Sequence, residues 1–151
     1  MIRTEKDFLK TVSGGFKACY ILRGEPGVGK STLANKIKDI IKCAEICEAD
    51  QYFTRPDGYY DFNFRLLSNA HSWCFNKFAG LIDNWVPVIV SNTNTRLKEF
   101  QKYIDTAEEE GYKVFVVRLL TNYGNVHGVP EEKVDEMRDR IENHEGEILI
   151  K

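Results

Sequence analysis

Short apolar runs recur along the chain at the length of β-strands, each bounded by polar or turn-forming residues. Runs of this length between turn signals are typical of strands buried in a sheet. They span residues 18–22, 44–50, 86–91, 114–120 and 147–150. The last of these runs is the shortest, and it predicts a strand at the end of the chain.

Helical patterns separate the predicted strands. In the longest, residues 62–84, the apolar side chains of Leu67, Ala70, Cys74 and Phe78 recur at three- and four-residue steps, which places them on one helix face. Shorter helices are predicted over residues 4–12, 31–42 and 97–110, and from Pro130 onward. Strands that alternate with helices predict an α/β fold of three layers, with a mostly parallel central sheet and helices on both faces.

A sheet of this kind binds its ligands beyond the carboxyl ends of its strands. Four separate parts of the sequence end or follow predicted strands: residues 24–31, Asp50, residues 92–94 and residues 121–129. We therefore expect these four parts to surround one site.

Residues 24–31 read GEPGVGKS and satisfy the pattern G-x-x-x-x-G-K-[ST] between a predicted strand and a predicted helix. Such a loop turns successive backbone N–H groups toward a phosphate, and the helix N-terminus adds partial positive charge. We expect Lys30 to reach the β- and γ-phosphates and the Ser31 hydroxyl to hold Mg²⁺. The predicted fold is therefore that of a P-loop NTPase or kinase. The predicted ligands are ATP and Mg²⁺, bound through Gly24, Pro26, Gly27, Val28, Gly29, Lys30, Ser31 and Thr32.

Asp50 ends the second predicted strand and is the candidate general base. A carboxylate there would face the γ-phosphate and accept the proton of an attacking hydroxyl, whereas the plainer alternative is a turn cap. The strand over 86–91 is where a P-loop ATPase normally presents an acid that orders Mg²⁺, but Asn92 follows it here. We therefore expect Ser31, the triphosphate and water to hold the metal, with Asp50 or Glu48 assisting.

Phosphoryl transfer also needs cations near the charge that develops on the transferring group. The candidates are Arg118, at the end of a predicted strand, and Lys133, Arg138 and Arg140, in the last predicted helix. Arg140 is the preferred catalytic candidate. For each of them the alternative is a solvated charge paired with a neighbouring acid.

Several aromatic and histidine side chains have open interpretations. His71 shares a helix face with apolar residues, which favours a hydrogen-bonded core histidine, whereas His127 in the loop over 121–129 is a candidate substrate contact. Four aromatic residues flank Asp50, and the pattern leaves base stacking and coverage of the sheet end equally open: Tyr52, Phe53, Tyr59 and Tyr60.

The bulk composition narrows the class of protein. A length of 151 residues predicts one domain, in which we interpret the segment at about 121–140 as lid-like. A net charge of −2 argues against binding to nucleic acid by bulk charge alone. The four cysteines lack the spacing of a zinc site and favour a reducing, cytoplasmic location. The sequence shows neither a signal-like apolar core near residue 1 nor an apolar run long enough for a membrane span.

The order of these segments resembles the P-loop domain of the polynucleotide 5′-hydroxyl kinases, especially its short stand-alone phage and bacterial relatives. The similarity runs over most of the chain and is carried by residues 21–34, 49–53, 70–74, 88–95 and 126–140. Relative to those kinases, an arginine is replaced by Phe53, an acid by Asn92, and lid arginines by Gly124 and its neighbours.

The resemblance implies transfer of the γ-phosphate of ATP to a hydroxyl, with Asp50 at the position of the base. A polynucleotide 5′-hydroxyl end is the expected acceptor. Two alternatives stay open: a kinase for a nucleoside, nucleotide or other small metabolite, and a nucleotide-binding regulatory protein with little turnover.

Overall fold

The computed structural model describes residues 2–13, 15, 17–124 and 128–151. The described strands are β1 Ile2–Arg3, β2 Ala18–Arg23, β3 Glu45–Cys47, β4 Val88–Ser91, β5 Lys113–Leu119 and β6 Ile148–Ile150. The described α-helices are α1 Glu5–Leu9, α2 Lys30–Ile40, α3 Leu67–Asp83, α4 Leu97–Glu109 and α5 Glu131–Arg140. Two 3₁₀ turns, Ala49–Phe53 and Phe64–Leu66, lie between β3 and α3.

The described strands form one sheet in the order β1-β6-β5-β2-β4-β3, and every neighbouring pair is parallel. β2 lies in the interior of the sheet, between β4 and β5, and all six of its residues are buried. The predicted α/β class is confirmed, and the sheet is parallel throughout its described strands rather than mostly so.

Alternate residues of β2 face two separate cores. Cys19 and Ile21 pack with α3 and α4, where Phe78 and Phe100 are buried, whereas Tyr20 and Leu22 pack with α1 and α2. This alternation is the period-two pattern of a strand with both faces covered. It gives the three layers predicted from the sequence.

The element boundaries differ from the predicted ones around Asp50. The predicted strand over 44–50 is wrong at its carboxyl end, because β3 stops at Cys47 and Ala49 begins a 3₁₀ turn. The Ala49 N–H donates to the side-chain Oδ1 of Asn92 at 2.9 Å, which takes it out of any strand ladder. The edge strand β1 was not predicted, since two residues carry no periodic signal. Among the described residues, no helix combines the length and apolar content needed to cross a bilayer.

Arg23, the last residue of β2, is fully buried and ties three segments to the carboxyl edge of the sheet. Its guanidinium donates to the backbone oxygens of Asn94 at 2.8 Å, Thr95 at 3.0 Å and Glu142 at 2.6 Å. It also pairs with the Glu147 carboxylate at 2.7 Å, and both side chains are almost completely buried. Since Gly24 follows directly, this anchor determines where the glycine-rich loop begins.

We predict that Arg23→Met lowers the free energy of unfolding by about 3–5 kcal/mol, because it leaves the Glu147 carboxylate buried without its partner. Arg55→Met is the matched control, since Arg55 pairs with Asp61 at 2.6 Å on the surface. That variant should lose no more than about 1 kcal/mol. Urea unfolding followed by circular dichroism measures both, and equal losses in the two variants would contradict the structural role of Arg23.

Candidate active site

The loop over residues 24–31 joins the buried end of β2 to the first turn of α2. Its backbone adopts conformations that glycine allows. Gly24 and Gly27 have φ angles of +153° and +100°, in the region where other residues are strained. A Cβ on Gly27 would lie 2.7 Å from the Asn122 side-chain oxygen and 2.8 Å from the Gly124 carbonyl oxygen. The loop therefore packs closely beneath residues 122–124 and opens toward the N-terminus of α2.

Lys30 bends back over this loop. Its ammonium donates to the backbone oxygens of Gly24 at 2.6 Å and Glu25 at 3.2 Å. Burial lowers the pKa of Lys30 to about 8, although the negative charges of Glu25, Glu48 and Asp50 oppose that shift. The structure thus concentrates one desolvated cation and three carboxylates near the loop. Ser31 and Thr32 follow in the first turn of α2 and are exposed.

Asp50 lies on the 3₁₀ turn after β3 and is exposed, rather than ending a strand. Its Oδ1 accepts a hydrogen bond from the Tyr60 hydroxyl at 3.1 Å. The turn is attached to the end of β4 through Asn92, which accepts from Ala49 and donates to the Cys74 sulfur at 3.7 Å. Asn92 therefore positions the turn that carries Asp50, a role that the sequence pattern did not indicate.

Glu48, two residues before Asp50, is half-buried. Burial and the charge of Asp50 raise its pKa, and the charges of Lys30 and Lys77 partly oppose the shift. Within the described part of the chain, no group of three or more His, Cys, Asp or Glu side chains is arranged to hold a metal ion. A metal ion here would be held by the Ser31 hydroxyl, the exposed carboxylates, the triphosphate and water.

The segment after β5 contacts the glycine-rich loop directly. The Tyr123 N–H donates to the Gly27 carbonyl oxygen at 2.8 Å, and the Asn122 amide donates to the Glu25 carboxylate at 3.1 Å and to the Pro26 carbonyl oxygen at 3.2 Å. These contacts join loop residues to residues almost a hundred positions away, which sequence spacing alone does not reveal.

Glu25, in the second position of the loop motif, also anchors the last helix. Its side chain is almost fully buried and accepts from the Arg138 guanidinium at 2.9 Å. Burial would raise the pKa of Glu25, but the hydrogen bonds from Asn122 and Arg138 outweigh it and hold the pKa below its usual value. The motif treats this position as variable, so the sequence offered no signal for the contact.

The four candidate cations lie in different surroundings. Arg138 contacts the loop through Glu25, whereas the Arg140 Nε donates to the Thr95 hydroxyl at 3.3 Å. Arg118 donates to the Asn143 side chain at 2.8 Å, and Lys133 pairs with Glu136 at 3.4 Å. Arg138, a candidate from the sequence, is thus the one seen bonded to the loop, and the catalytic role of Arg140 stays a prediction.

The remaining predicted side chains divide between core and surface. Phe53 is 4% exposed and belongs to the core, whereas Tyr52, Tyr59 and Tyr60 are exposed by 37%, 59% and 44%. His71 is exposed, so the prediction of a core histidine is wrong: the buried face of α3 passes through Ala70 and Cys74 instead. His127 lies outside the described residues.

Two proteins are similar to this chain in sequence. Human NEDD4-binding protein 2 is 31% identical over 133 residues, which cover 81% of this chain and 7% of that protein. An uncharacterised protein of Pasteurella multocida is 27% identical over 134 residues, which cover 78% of this chain and 72% of that protein. The chain therefore spans only a small part of the human relative. No protein-family model matches the sequence.

Several solved structures are similar to this fold. A chain of the Pnkp1/Rnl/Hen1 complex matches with a TM-score of 0.58 and 21% identity, over 80% of this chain and 38% of its own. A gluconokinase from Sinorhizobium meliloti matches with a TM-score of 0.56 and 18% identity, over 89% of this chain and 81% of its own. Kti12 of Chaetomium thermophilum, solved with ADP-AlF3, matches with a TM-score of 0.61 and 9% identity, over 87% of this chain and 88% of its own. The chain has the P-loop kinase-like fold.

We predict that Gly27→Ala destabilises the protein more than Gly58→Ala does. Both glycines have positive φ angles, of +100° and +87°, so both variants incur backbone strain. A Cβ on Gly58 meets nothing within 4 Å, whereas one on Gly27 collides with residues 122 and 124. The expected difference in unfolding free energy is about 1–3 kcal/mol, the typical cost of overpacking. Thermal unfolding measures it, and equal melting temperatures would show that the loop does not need this close approach.

Proposed function

We propose that the protein is an ATP- and Mg²⁺-dependent kinase that phosphorylates a hydroxyl, with a polynucleotide 5′-hydroxyl end as the acceptor. The observation that carries this proposal is that Lys30 and Asp50 both lie beyond the carboxyl ends of strands of one sheet, where the Asp50 charge is among those that oppose the lowering of the Lys30 pKa. A cation for phosphates and an exposed carboxylate for an acceptor proton are the two groups that a kinase needs side by side.

The residues of the loop fit a triphosphate. Positive φ angles at Gly24, Gly27 and Gly29 let consecutive N–H groups face one ligand, and Gly29 caps the N-terminus of α2. In this proposal Pro26, Val28 and Thr32 complete the nucleotide-binding loop. Lys30 exchanges its bonds to loop carbonyl oxygens for bonds to phosphate oxygens, and Ser31 holds the metal.

Bound ATP supplies the γ-phosphoryl group: the acceptor oxygen bonds to the γ-phosphorus as the bond to the β–γ bridging oxygen breaks and ADP leaves. Asp50 takes the proton of the acceptor hydroxyl, and the Tyr60 hydroxyl holds that carboxylate in place. Arg140 is the proposed cation for the charge that develops during transfer. Arg138 instead stabilises the loop through Glu25.

The acceptor class draws on two kinds of support. The order of segments resembles the polynucleotide 5′-hydroxyl kinases, and the Pnkp1-containing complex shares the fold. One observation favours a small-molecule acceptor instead: Phe53 is buried where those kinases have an arginine, so that position offers no cation to a polymer phosphate. The single-domain organisation of residues 1–151, the lid-like segment at about 121–140 and the cytoplasmic location stay predictions.

We predict transfer of labelled phosphate from ATP to 5′-hydroxyl oligonucleotides, lowered about 10²–10⁴-fold in kcat by Asp50→Asn, the usual contribution of a general base. ATP affinity should change far less than kcat, because the substitution leaves every residue of the loop in place. Asp57→Asn is the matched control: Asp57 is an exposed carboxylate of the same segment, and it caps Tyr59 rather than facing the loop. Lys30→Ala serves as the blank.

The outcomes separate the alternatives. Wild-type protein that phosphorylates neither DNA nor RNA ends, but does phosphorylate nucleosides or small metabolites, would replace the polymer acceptor with the second candidate. Tight ATP binding without transfer to any acceptor, and no effect of Asp50→Asn, would favour the regulatory interpretation.

We predict that ATP affinity falls as the pH rises above about 8, where Lys30 of the free protein loses its proton. Phosphate oxygens favour the ammonium form, so binding raises this pKa and must take up a proton at higher pH. The affinity should fall by about tenfold per pH unit until the pKa of the bound state is reached. Calorimetry from pH 7 to 10 measures this. Lys30→Arg, which stays protonated, should bind without the dependence, and a flat wild-type profile would contradict the assignment.

A further inference from the structure

Beside Asp50 lies an exposed pair of aromatic rings, Tyr60 and Phe62, which we call the aromatic shelf. The two rings are 44% and 49% exposed, and they lie nearly parallel, with an interplanar angle of 18° and centroids 6.4 Å apart. Both rest edge-on against the buried ring of Phe53, at centroid distances of 6.4 Å and 5.0 Å. The shelf therefore presents exposed ring surface that is supported from the core.

The segment that carries the shelf is held in place. Thr54 and Tyr60 form an antiparallel bridge, and the Asp61 N–H donates to the Phe53 carbonyl oxygen at 2.8 Å. The Arg55 side chain crosses the loop to pair with Asp61 at 2.6 Å. Rings that are already ordered lose little conformational entropy when a flat ligand stacks on them.

The shelf is continuous with the candidate catalytic carboxylate, since the hydroxyl of its ring Tyr60 donates to Asp50 at 3.1 Å. Burial and the Asp50 charge raise the pKa of Tyr60 to about 12, so the phenol keeps its proton at neutral pH. A planar group stacked against the Tyr60 ring therefore lies beside the carboxylate that would accept the acceptor proton.

The charges around the shelf indicate what kind of ligand suits it. Residues 50–66 carry three acidic side chains, Asp50, Asp57 and Asp61, and two basic ones, Arg55 and Arg65. Arg55 is already paired with Asp61. Such a surface does not attract a phosphate backbone by charge, which favours a ligand that contacts the exposed rings. Stacking is tolerant of base identity because every nucleobase has a π-face.

We propose that the aromatic shelf stacks the nucleobase of the acceptor's terminal nucleotide and so presents its 5′-hydroxyl to Asp50. This inference rests on the proposed kinase function and adds to it the substrate feature that is recognised: a base at the end of the strand. One ribose separates a nucleobase from its own 5′-hydroxyl, which matches a shelf whose edge is bonded to the carboxylate. Acceptor selection is then base-dependent, sequence-tolerant and only weakly dependent on salt.

The test compares two 5′-hydroxyl oligonucleotides that differ only at the terminal residue, one with its base and one with a stable abasic sugar. Stacking on an aromatic side chain is worth about 5- to 150-fold per base. The wild-type protein should prefer the base-carrying acceptor by a factor in that range in kcat/KM, at both low and high salt. Phe62→Ala and Phe62→Leu should lose most of this preference while they still phosphorylate the abasic acceptor.

Two further variants separate stacking from other roles. Tyr60→Phe keeps the ring and removes the hydroxyl, so it should keep the base preference but lower kcat, because Asp50 loses the hydrogen bond that holds it. Trp85→Ala is the matched control, because Trp85 is 61% exposed and precedes β4. It therefore lies at the amino ends of the strands, whereas Asp50 lies at their carboxyl ends. It should keep both the preference and kcat.

The inference is overturned if the wild-type protein phosphorylates both acceptors equally well, or if the Phe62 variants, shown to be folded by thermal unfolding, keep the full base preference. Either result would leave the kinase function standing and assign the shelf to another ligand, such as a protein partner. A wild-type protein that phosphorylates neither acceptor overturns the polynucleotide assignment and this inference with it.

Discussion

The buried guanidinium of Arg23 holds together the edge of the sheet on which the candidate site is built. It replaces water with three backbone carbonyl oxygens and one carboxylate, from residues 94, 95, 142 and 147, and it lies 4.5 Å above the Phe100 ring. A buried charge is tolerated only when its hydrogen-bonding groups are satisfied in this way. The end of β2 is therefore bonded to four other residues, and the glycine-rich loop starts from a defined point.

The loop that begins there lies among charges of both signs. The Glu25 carboxylate accepts hydrogen bonds from Asn122 and Arg138, so the last helix and the segment after β5 are attached to the loop itself. Lys30 is the desolvated cation in the centre, with its pKa lowered to about 8. Low solvation strengthens the attraction between this ammonium and an anionic ligand, because less water must be displaced when they meet. The same desolvation makes ligand binding sensitive to pH.

The acceptor side of the proposed site is built differently, from a 3₁₀ turn and an aromatic segment rather than from a strand end. Asn92 attaches the turn to β4, and Tyr60 attaches the Asp50 carboxylate to the aromatic shelf. An amide at position 92 can both accept from Ala49 and donate to Cys74, which an ionised acid cannot do. The departure from the usual acid at this strand end therefore has a structural reason.

Sequence periodicity was sufficient for the α/β class, the strands β2, β4 and β5, and the loop over residues 24–31, because these depend on local patterns of apolar residues and glycines. It did not predict the 3₁₀ turn of Asp50, the exposure of His71 or the anchoring of Arg138 to Glu25. The turn depends on Asn92 and the anchoring of Arg138 on Glu25, both far away in the chain, and the exposure of His71 depends on which face of α3 packs against the core. The sequence determined which chemical groups are present and which elements carry them. Only the tertiary structure decided which groups meet, because long-range hydrogen bonds and burial act between residues that no local pattern connects.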